Sequence, residues 1–228
     1  MKRRVIIGKV LFVLAALFLV AFAVCTYMVM KVDVAPVGFE GTPLGLSSIN
    51  TRFHRAFGYN EKCFMVTEYL GYICLALAFA NAILAFLDFM RSKWDIGQMH
   101  RRYVITMVLY AVVVAIYVLF LFVKINYRPN EFEGSYPSSH TLLGLCVMAS
   151  EIAILHYSAR SLHFWAIIFQ IMCFVCMVAM VVFRLLSGVH WLTDIVGSVL
   201  LSCSIISLYC GFLALFGRHS YRHHHHRH

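Results

Sequence analysis

The stretch Phe164–Phe183, FWAIIFQIMCFVCMVAMVVF, runs for twenty residues without one charged side chain. About 20 predominantly apolar residues are what a helix needs to cross the hydrocarbon core of a bilayer. Runs of comparable length lie on either side: roughly Val5–Val32, Phe64–Met90, Tyr103–Lys124 and His140–Tyr157 before it, and Trp191–Phe216 after it. In lipid the backbone must satisfy its own hydrogen bonds, which leaves only helices and closed barrels. Unbroken apolar runs, in place of the alternating pattern of barrel strands, select helices. The prediction is an all-α polytopic membrane protein, a six-transmembrane-helix bundle forming a single membrane-embedded domain over residues 1–228 with no internal repeat. Composition agrees: 62% hydrophobic, 13% charged and a mean hydropathy of +0.81 over 228 residues are too apolar for a soluble chain.

Lys2, Arg3 and Arg4 precede the first run in the manner of a secretory signal. That run is longer than a signal core and lacks a small-x-small cleavage pattern, so an uncleaved first helix is expected. Basic residues then orient the bundle. With the N-terminus inside, eleven Lys and Arg fall on the cytoplasmic side (Lys2, Arg3, Arg4, Arg91, Lys93, Arg101, Arg102, Arg160, Arg218, Arg222, Arg227). Seven fall outside (Lys31, Arg52, Arg55, Lys62, Lys124, Arg128, Arg184). The expectation is a multi-pass protein of the plasma membrane with both termini cytoplasmic. A formal charge of +9 spread over membrane-flanking loops reads as topology and attraction to anionic lipid, not as a nucleic-acid surface. Seven of the eight cysteines lie inside apolar runs, where Cys173 and Cys176 share a helical face as packing residues with no further metal ligand beside them. The outer loop 33–63 carries an amphipathic stretch near Ser48–Phe57, either a lid beside a site or an ordinary interfacial helix. The His-rich end of the cytoplasmic tail 217–228 reads as natural, not as a cloning tag, and sits on the face away from the polar clusters described next.

Three polar clusters interrupt the apolar chain: Arg128-Pro129, then Tyr136-Pro137-Ser138-Ser139-His140, then Arg184 followed by His190 and Asp194. The predicted topology puts all three on one side of the membrane. Together they supply fixed cations, backbone donors, a nucleophile and a proton donor, the groups a phosphoryl site needs. Ser138 or Ser139 is a natural N-cap, and the helix N-terminus behind it is a ready phosphate cradle. A capping motif alone accounts for the serines and Thr141 but not for His140. Arg128, placed before a proline, ends its helix and can swing over the pocket, or else snorkels at the interface. His190 and Asp194, four apart, share a helical face, so the carboxylate can hold one imidazole nitrogen while the other meets substrate. Asp194 lies about 6 Å further into its helix, where an unpaired carboxylate costs about 2.5–3.5 kcal/mol; a partner is expected, and His190 is the nearest.

On these residues the chain resembles the type-2 phosphatidic acid phosphatase superfamily, membrane lipid phosphatases with six helices and a three-part motif. The family pattern is a Lys, six residues, Arg-Pro; then Pro-Ser-Gly-His; then Ser-Arg, five residues, His, three residues, Asp. This sequence offers Arg128-Pro129, Pro137-Ser138-Ser139-His140, and Arg184, five residues, His190, three residues, Asp194. It departs at three places. Leu121 stands at the lysine position, with Lys124 one helical turn later; Ser139 replaces the glycine; Phe183 replaces the serine before Arg184. The resemblance implies that His190 attacks phosphorus to form a phosphohistidine, that Asp194 orients it, and that His140 protonates the leaving oxygen and then activates water. Arg128, Arg184 and the groups of Ser138 and Ser139 would hold the phosphate. Lys124 either joins them or snorkels. No metal or cofactor is implied. The partners implied are membrane lipids and a lipid phosphate or diphosphate, of the undecaprenyl diphosphate, phosphatidylglycerophosphate or phosphatidate class.

Phosphotransfer to an acceptor lipid is a close variant using the same site. A small transporter is a reading from another class, because Asn81, Glu151 and Gln170 lie within apolar runs, Glu151 about 16 Å beyond His140 along one helix. These three form no constellation in sequence, which favours structural pairing. A noncatalytic scaffold is suggested by Leu121 and Phe183, and opposed by the intact His140, His190 and Asp194.

Overall fold

Lipid offers a backbone no water to bond, so each long apolar run closes its hydrogen bonds within itself. The computed structural model describes residues 2–158 and 164–217. Within them seven α-helices follow one another: α1 Lys2–Lys31, α2 Ser47–Phe57, α3 Glu61–Arg91, α4 Arg101–Phe122, α5 Ser139–Ser158, α6 Phe164–Leu186 and α7 Leu192–Phe216. All except α2 are long and apolar enough to cross a membrane. The all-α, six-span bundle read from the sequence therefore holds. Among the described residues no sheet forms, and isolated bridges between Ala35 and Leu44 and between Tyr127 and Gly134 tie two loops. The link that follows Ser158, with Arg160, and the His-rich tail, with Arg218, Arg222 and Arg227, lie outside the described residues.

The least apolar of the six spans, α5, is also the most enclosed. A helix surrounded by protein can carry hydroxyls and a carboxyl that a lipid-facing helix cannot. One face of α5 packs Leu142, Cys146 and Ala153 against Leu109 and Val113 of α4 and Leu201 of α7. Its other face packs Val147 and Met148 against Cys74 of α3 and Cys173 of α6. All eight cysteines are free thiols, and Cys173 and Cys176 serve the packing of that second cluster. Helix α1 lies along α7, where Leu215 and Phe12 press on Gly8 and Gly211, and the Ser204 hydroxyl donates to the Ala15 carbonyl at 2.8 Å. Outward-facing side chains such as Phe79, Phe122 and Trp165 are large, apolar and exposed, as a lipid-contacting surface requires.

Several polar side chains inside the bundle are paired with one another. Asn81 of α3 donates to Glu151 of α5 and, at 3.0 Å, to the Tyr110 hydroxyl, which lies 2.9 Å from Ser150 Oγ. This network joins three helices, which is the structural pairing anticipated for Asn81 and Glu151. Gln170 Nε2 finds no hydrogen-bond partner among the described residues. At the end of the bundle where α3 runs into α4, the Asp88 carboxylate accepts from the His100 backbone N–H at 2.8 Å and meets His100 Nδ1 at 2.6 Å, clamping that turn.

The opposite end is shaped by loops. Helix α4 stops at Phe122, and the extended Val123 takes the chain off the helix, so Lys124 sits in the following loop and not on the last helical turn. Helix α2 forms where the amphipathic stretch predicts it and docks on the start of α7. Its buried Asn50 donates to Gly45 O and Thr193 Oγ1, both at 2.9 Å, and accepts from the Thr193 N–H at 3.2 Å. The loop between α4 and α5 is held down by Tyr136, whose ring lies so close to Gly197 that a β-carbon there would fall 2.6 Å from both Tyr136 Cε2 and Oη. Overpacking of this kind costs about 1–3 kcal/mol. Gly197→Ala is therefore expected to lower the thermal unfolding midpoint of the detergent-solubilised protein by several degrees, measurable by a thiol-independent fluorescence melt.

Candidate active site

Helices α3, α5 and α7 begin, and α4 and α6 end, at the same end of the bundle, and their polar residues converge there. Arg184, on the last turn of α6, is 1% exposed. Its Nη1 donates to Thr67 Oγ1 at 3.0 Å and to Glu68 Oε1 at 3.2 Å. Its Nη2 lies 3.3 Å from His140 Nδ1 and 3.3 Å from His190 Nε2. The guanidinium also sits 5.6 Å from the centre of the Phe64 ring, within cation–π range. Because a guanidinium only donates, both imidazoles must turn bare nitrogens toward it. That assigns the His140 proton to Nε2, which faces Glu68 Oε1 at 3.1 Å, and the His190 proton to Nδ1, which faces Asp194 Oδ2 at 3.5 Å.

Backbone geometry places His190. The turn between α6 and α7 passes through Gly188 at φ +71, where a β-carbon would fall 2.0 Å from the Gly58 carbonyl oxygen, so only glycine fits. The Asn60 N–H donates to the Ser187 carbonyl at 3.1 Å and ties the turn to the start of α3. Asp194 is fully buried; its carboxylate accepts from the Trp191 N–H at 2.9 Å and from Asn126 Nδ2 at 3.4 Å. The 3.5 Å separation from His190 is an ion-pair distance longer than a good hydrogen bond. Burial pushes the His190 imidazole well below its ordinary range, and the Arg184 and Arg128 guanidiniums push in the same direction. The ring is held neutral, with a lone pair on Nε2.

The other predicted residues divide. Ser138 caps α5 and is fully buried: its Oγ accepts from the Thr141 hydroxyl at 3.1 Å, its N–H donates to the Asp194 carbonyl at 3.3 Å, and its carbonyl accepts from Ser198 at 3.0 Å. Ser138 thus braces α5 against α7. Ser139 instead lines a cavity of about 340 Å³ together with Lys124, Arg128, Tyr136 and His190. In that cavity wall Arg128 is paired with Glu131 and, at 3.4 Å, with Glu133. Lys124 Nζ lies 5.8 Å from the centre of the Tyr127 ring, and Leu121 lines the same cavity. A second cavity of about 230 Å³ opens beside it between α3, α4 and α5, lined by Leu75, Val113, Leu143, Glu68 and His140.

Two contributors escaped the sequence reading. Glu68 touches both His140 and Arg184, and Asn126 donates to Asp194. A signal for Glu68 existed: a carboxylate inside an apolar run needs a partner. Asn126 stands in a loop beside Arg128 and gave no such signal.

Residues 120–217 match the family model described as the PAP2 superfamily. No curated protein matches the chain. Among solved structures, the crystal structure of the first transmembrane PAP2 type phosphatidylglycerolphosphate phosphatase from Bacillus subtilis superposes with a TM-score of 0.58 at 17% identity, covering 89% of this chain and 94% of that one. The motif-bearing part of this multi-pass membrane chain thus matches the PAP2 superfamily, and the chain as a whole has the fold of a transmembrane PAP2-type phosphatase.

Proposed function

We propose that the chain is an integral membrane phosphatase that hydrolyses a lipid phosphomonoester or diphosphate through a phosphohistidine on His190. The observation that carries this reading is the Arg184 guanidinium lying 3.3 Å from both His140 Nδ1 and His190 Nε2. A phosphoryl group bound to that guanidinium has a nucleophile on one side and a proton donor on the other. In the first step the His190 Nε2 lone pair forms the N–P bond. The bond from phosphorus to the leaving oxygen breaks, and that oxygen takes its electron pair and a proton from His140. In the second step water gives a proton back to His140 and its oxygen to phosphorus, the N–P bond breaks, and His190 is restored. Asp194 orients His190 and offsets the positive charge of the phosphohistidine. Arg184, Arg128 at the cavity wall and the free N–H groups at the start of α5, near Ser139, stabilise the charge on the phosphoryl oxygens. Lys124 lines the same cavity and adds to its positive field. Ser138 contributes by fixing the helix start.

A lipid substrate is supported by the apolar cavity between α3, α4 and α5, which meets the polar one at Ser139 and Leu142. It leaves room for the first part of a chain while the headgroup reaches His190. The solved relative is a phosphatidylglycerolphosphate phosphatase, and that lipid, phosphatidate and undecaprenyl diphosphate all present the required group. The distribution of Lys and Arg supports a plasma-membrane protein with cytoplasmic termini and the site on the outer face. Side chains, backbone N–H groups and water supply every charge, nucleophile and proton in the scheme, which is written with no metal or cofactor.

Phosphate release from purified lipid phosphates in the presence of a chelator tests the reading. Activity is expected for the wild type, with a loss of roughly 10³-fold or more in His190→Ala and about 10²–10⁴-fold in His140→Ala; robust turnover by His190→Ala would overturn the nucleophile assignment. The pH profile gives an independent check. Only neutral His190 attacks, and its pKa lies well below 6.5. The acid limb of kcat/KM, which reports the free enzyme, is therefore expected below pH 6.5, with activity lost as the pH falls through that limb.

A further inference from the structure

We propose that Glu68 is the carboxylate partner of His140, a positioning residue that completes a second carboxylate–imidazole pair facing the His190–Asp194 pair across Arg184. The proposal rests on the phosphatase reading above and deepens it. Glu68 stands in the second turn of α3, the helix whose start the motif does not reach. Its Oε1 lies 3.1 Å from His140 Nε2 and 3.2 Å from Arg184 Nη1. Gly71, three residues on and on the same helical face, leaves the space the ring occupies: a β-carbon there would meet His140 Cδ2 at 3.2 Å and Nε2 at 3.6 Å. Helix α3 is thus shaped to receive the imidazole edge-on and to hold its outer nitrogen.

The chemistry follows from which nitrogen is held. With Nε2–H donated to Glu68, the catalytic proton can be loaded and unloaded only at Nδ1, the nitrogen directed at Arg184 and hence at the bound phosphoryl group. When Nδ1 takes its proton, the imidazolium has the Glu68 carboxylate as counter-charge. When that proton passes to the leaving oxygen as the P–O bond breaks, the pair returns to neutral imidazole and carboxylate. Water restores the proton to the same nitrogen in the second step. Glu68 exchanges no proton with the phosphoryl group or the leaving oxygen in either step.

Glu68→Gln isolates this role, because an amide oxygen can still accept from both His140 Nε2 and Arg184 Nη1 while the negative charge is gone. The readout is kcat/KM, which reports the phosphorylation step, for n-octyl phosphate and p-nitrophenyl phosphate on the purified full chain. An alkoxide must be protonated as it leaves, whereas p-nitrophenolate need not be. The expected loss is on the order of 10²-fold for the alkyl ester and less than about threefold for the aryl ester. Glu68→Asp, whose carboxylate is withdrawn by one methylene, is expected to lose alkyl activity selectively as well and to a smaller extent; it supplies the same ratio if the glutamine variant does not fold. Equal losses on the two esters would reduce Glu68 to a support for Arg184 and overturn the proposal, as would no loss on either. A wild-type chain that cleaves neither ester, like His190→Ala, would instead overturn the phosphatase reading itself.

Discussion

A guanidinium buried to 1% exposure in the end of a membrane bundle is the constraint around which the site is organised. Arg184 cannot shed its charge, and an uncompensated buried cation costs several kcal/mol. Its counter-groups come from α3 (Thr67, Glu68 and the face of Phe64), from α5 (His140) and from the turn into α7 (His190). Satisfying one side chain therefore fixes the relative positions of four helices. It also gives the imidazoles their tautomers, since a donor-only group faces both.

The rest of the bundle serves that arrangement by keeping polar material away from lipid. Helix α5 is the span least able to face hydrocarbon, and it lies between α3 and α6 on one side and α4 and α7 on the other. Its N-terminus is thereby delivered to Arg184. Ser138 bonds to Asp194 and Ser198, Asn50 of α2 to Thr193, and Trp191 Nε1 to the Tyr127 carbonyl at 2.7 Å. These bonds lock the starts of α5 and α7 and the loop after α4 into one unit. Away from the site, Asn81, Glu151, Tyr110 and Ser150 satisfy one another between α3, α4 and α5.

Charge is distributed unevenly across the site. The floor holds Arg184 between two imidazoles, each with a carboxylate beyond it. The cavity wall holds Arg128, which is already paired with Glu131 and Glu133, and Lys124, packed near Tyr127. In the proposed scheme an entering phosphate would meet one buried, preorganised cation and one that must be drawn from exposed glutamates. Preorganisation of the buried cation avoids reorganisation cost at the reacting atom.

Much of this was legible in the sequence because the underlying physics is local. Apolar runs of membrane length report helices whatever surrounds them, and a His and an Asp four residues apart share a helical face in any context. The kinds of group needed for phosphoryl chemistry, at His140, Arg184, His190 and Asp194, could likewise be read from short segments. Tertiary structure decided what depends on one helix meeting another. It alone gave Glu68 to His140, spent the Ser138 N–H on Asp194, moved Lys124 off the end of α4, and set Arg184 between two imidazoles. Those outcomes follow from interhelical packing and from the demand that buried charge be compensated, and neither leaves a periodic trace in a single chain segment.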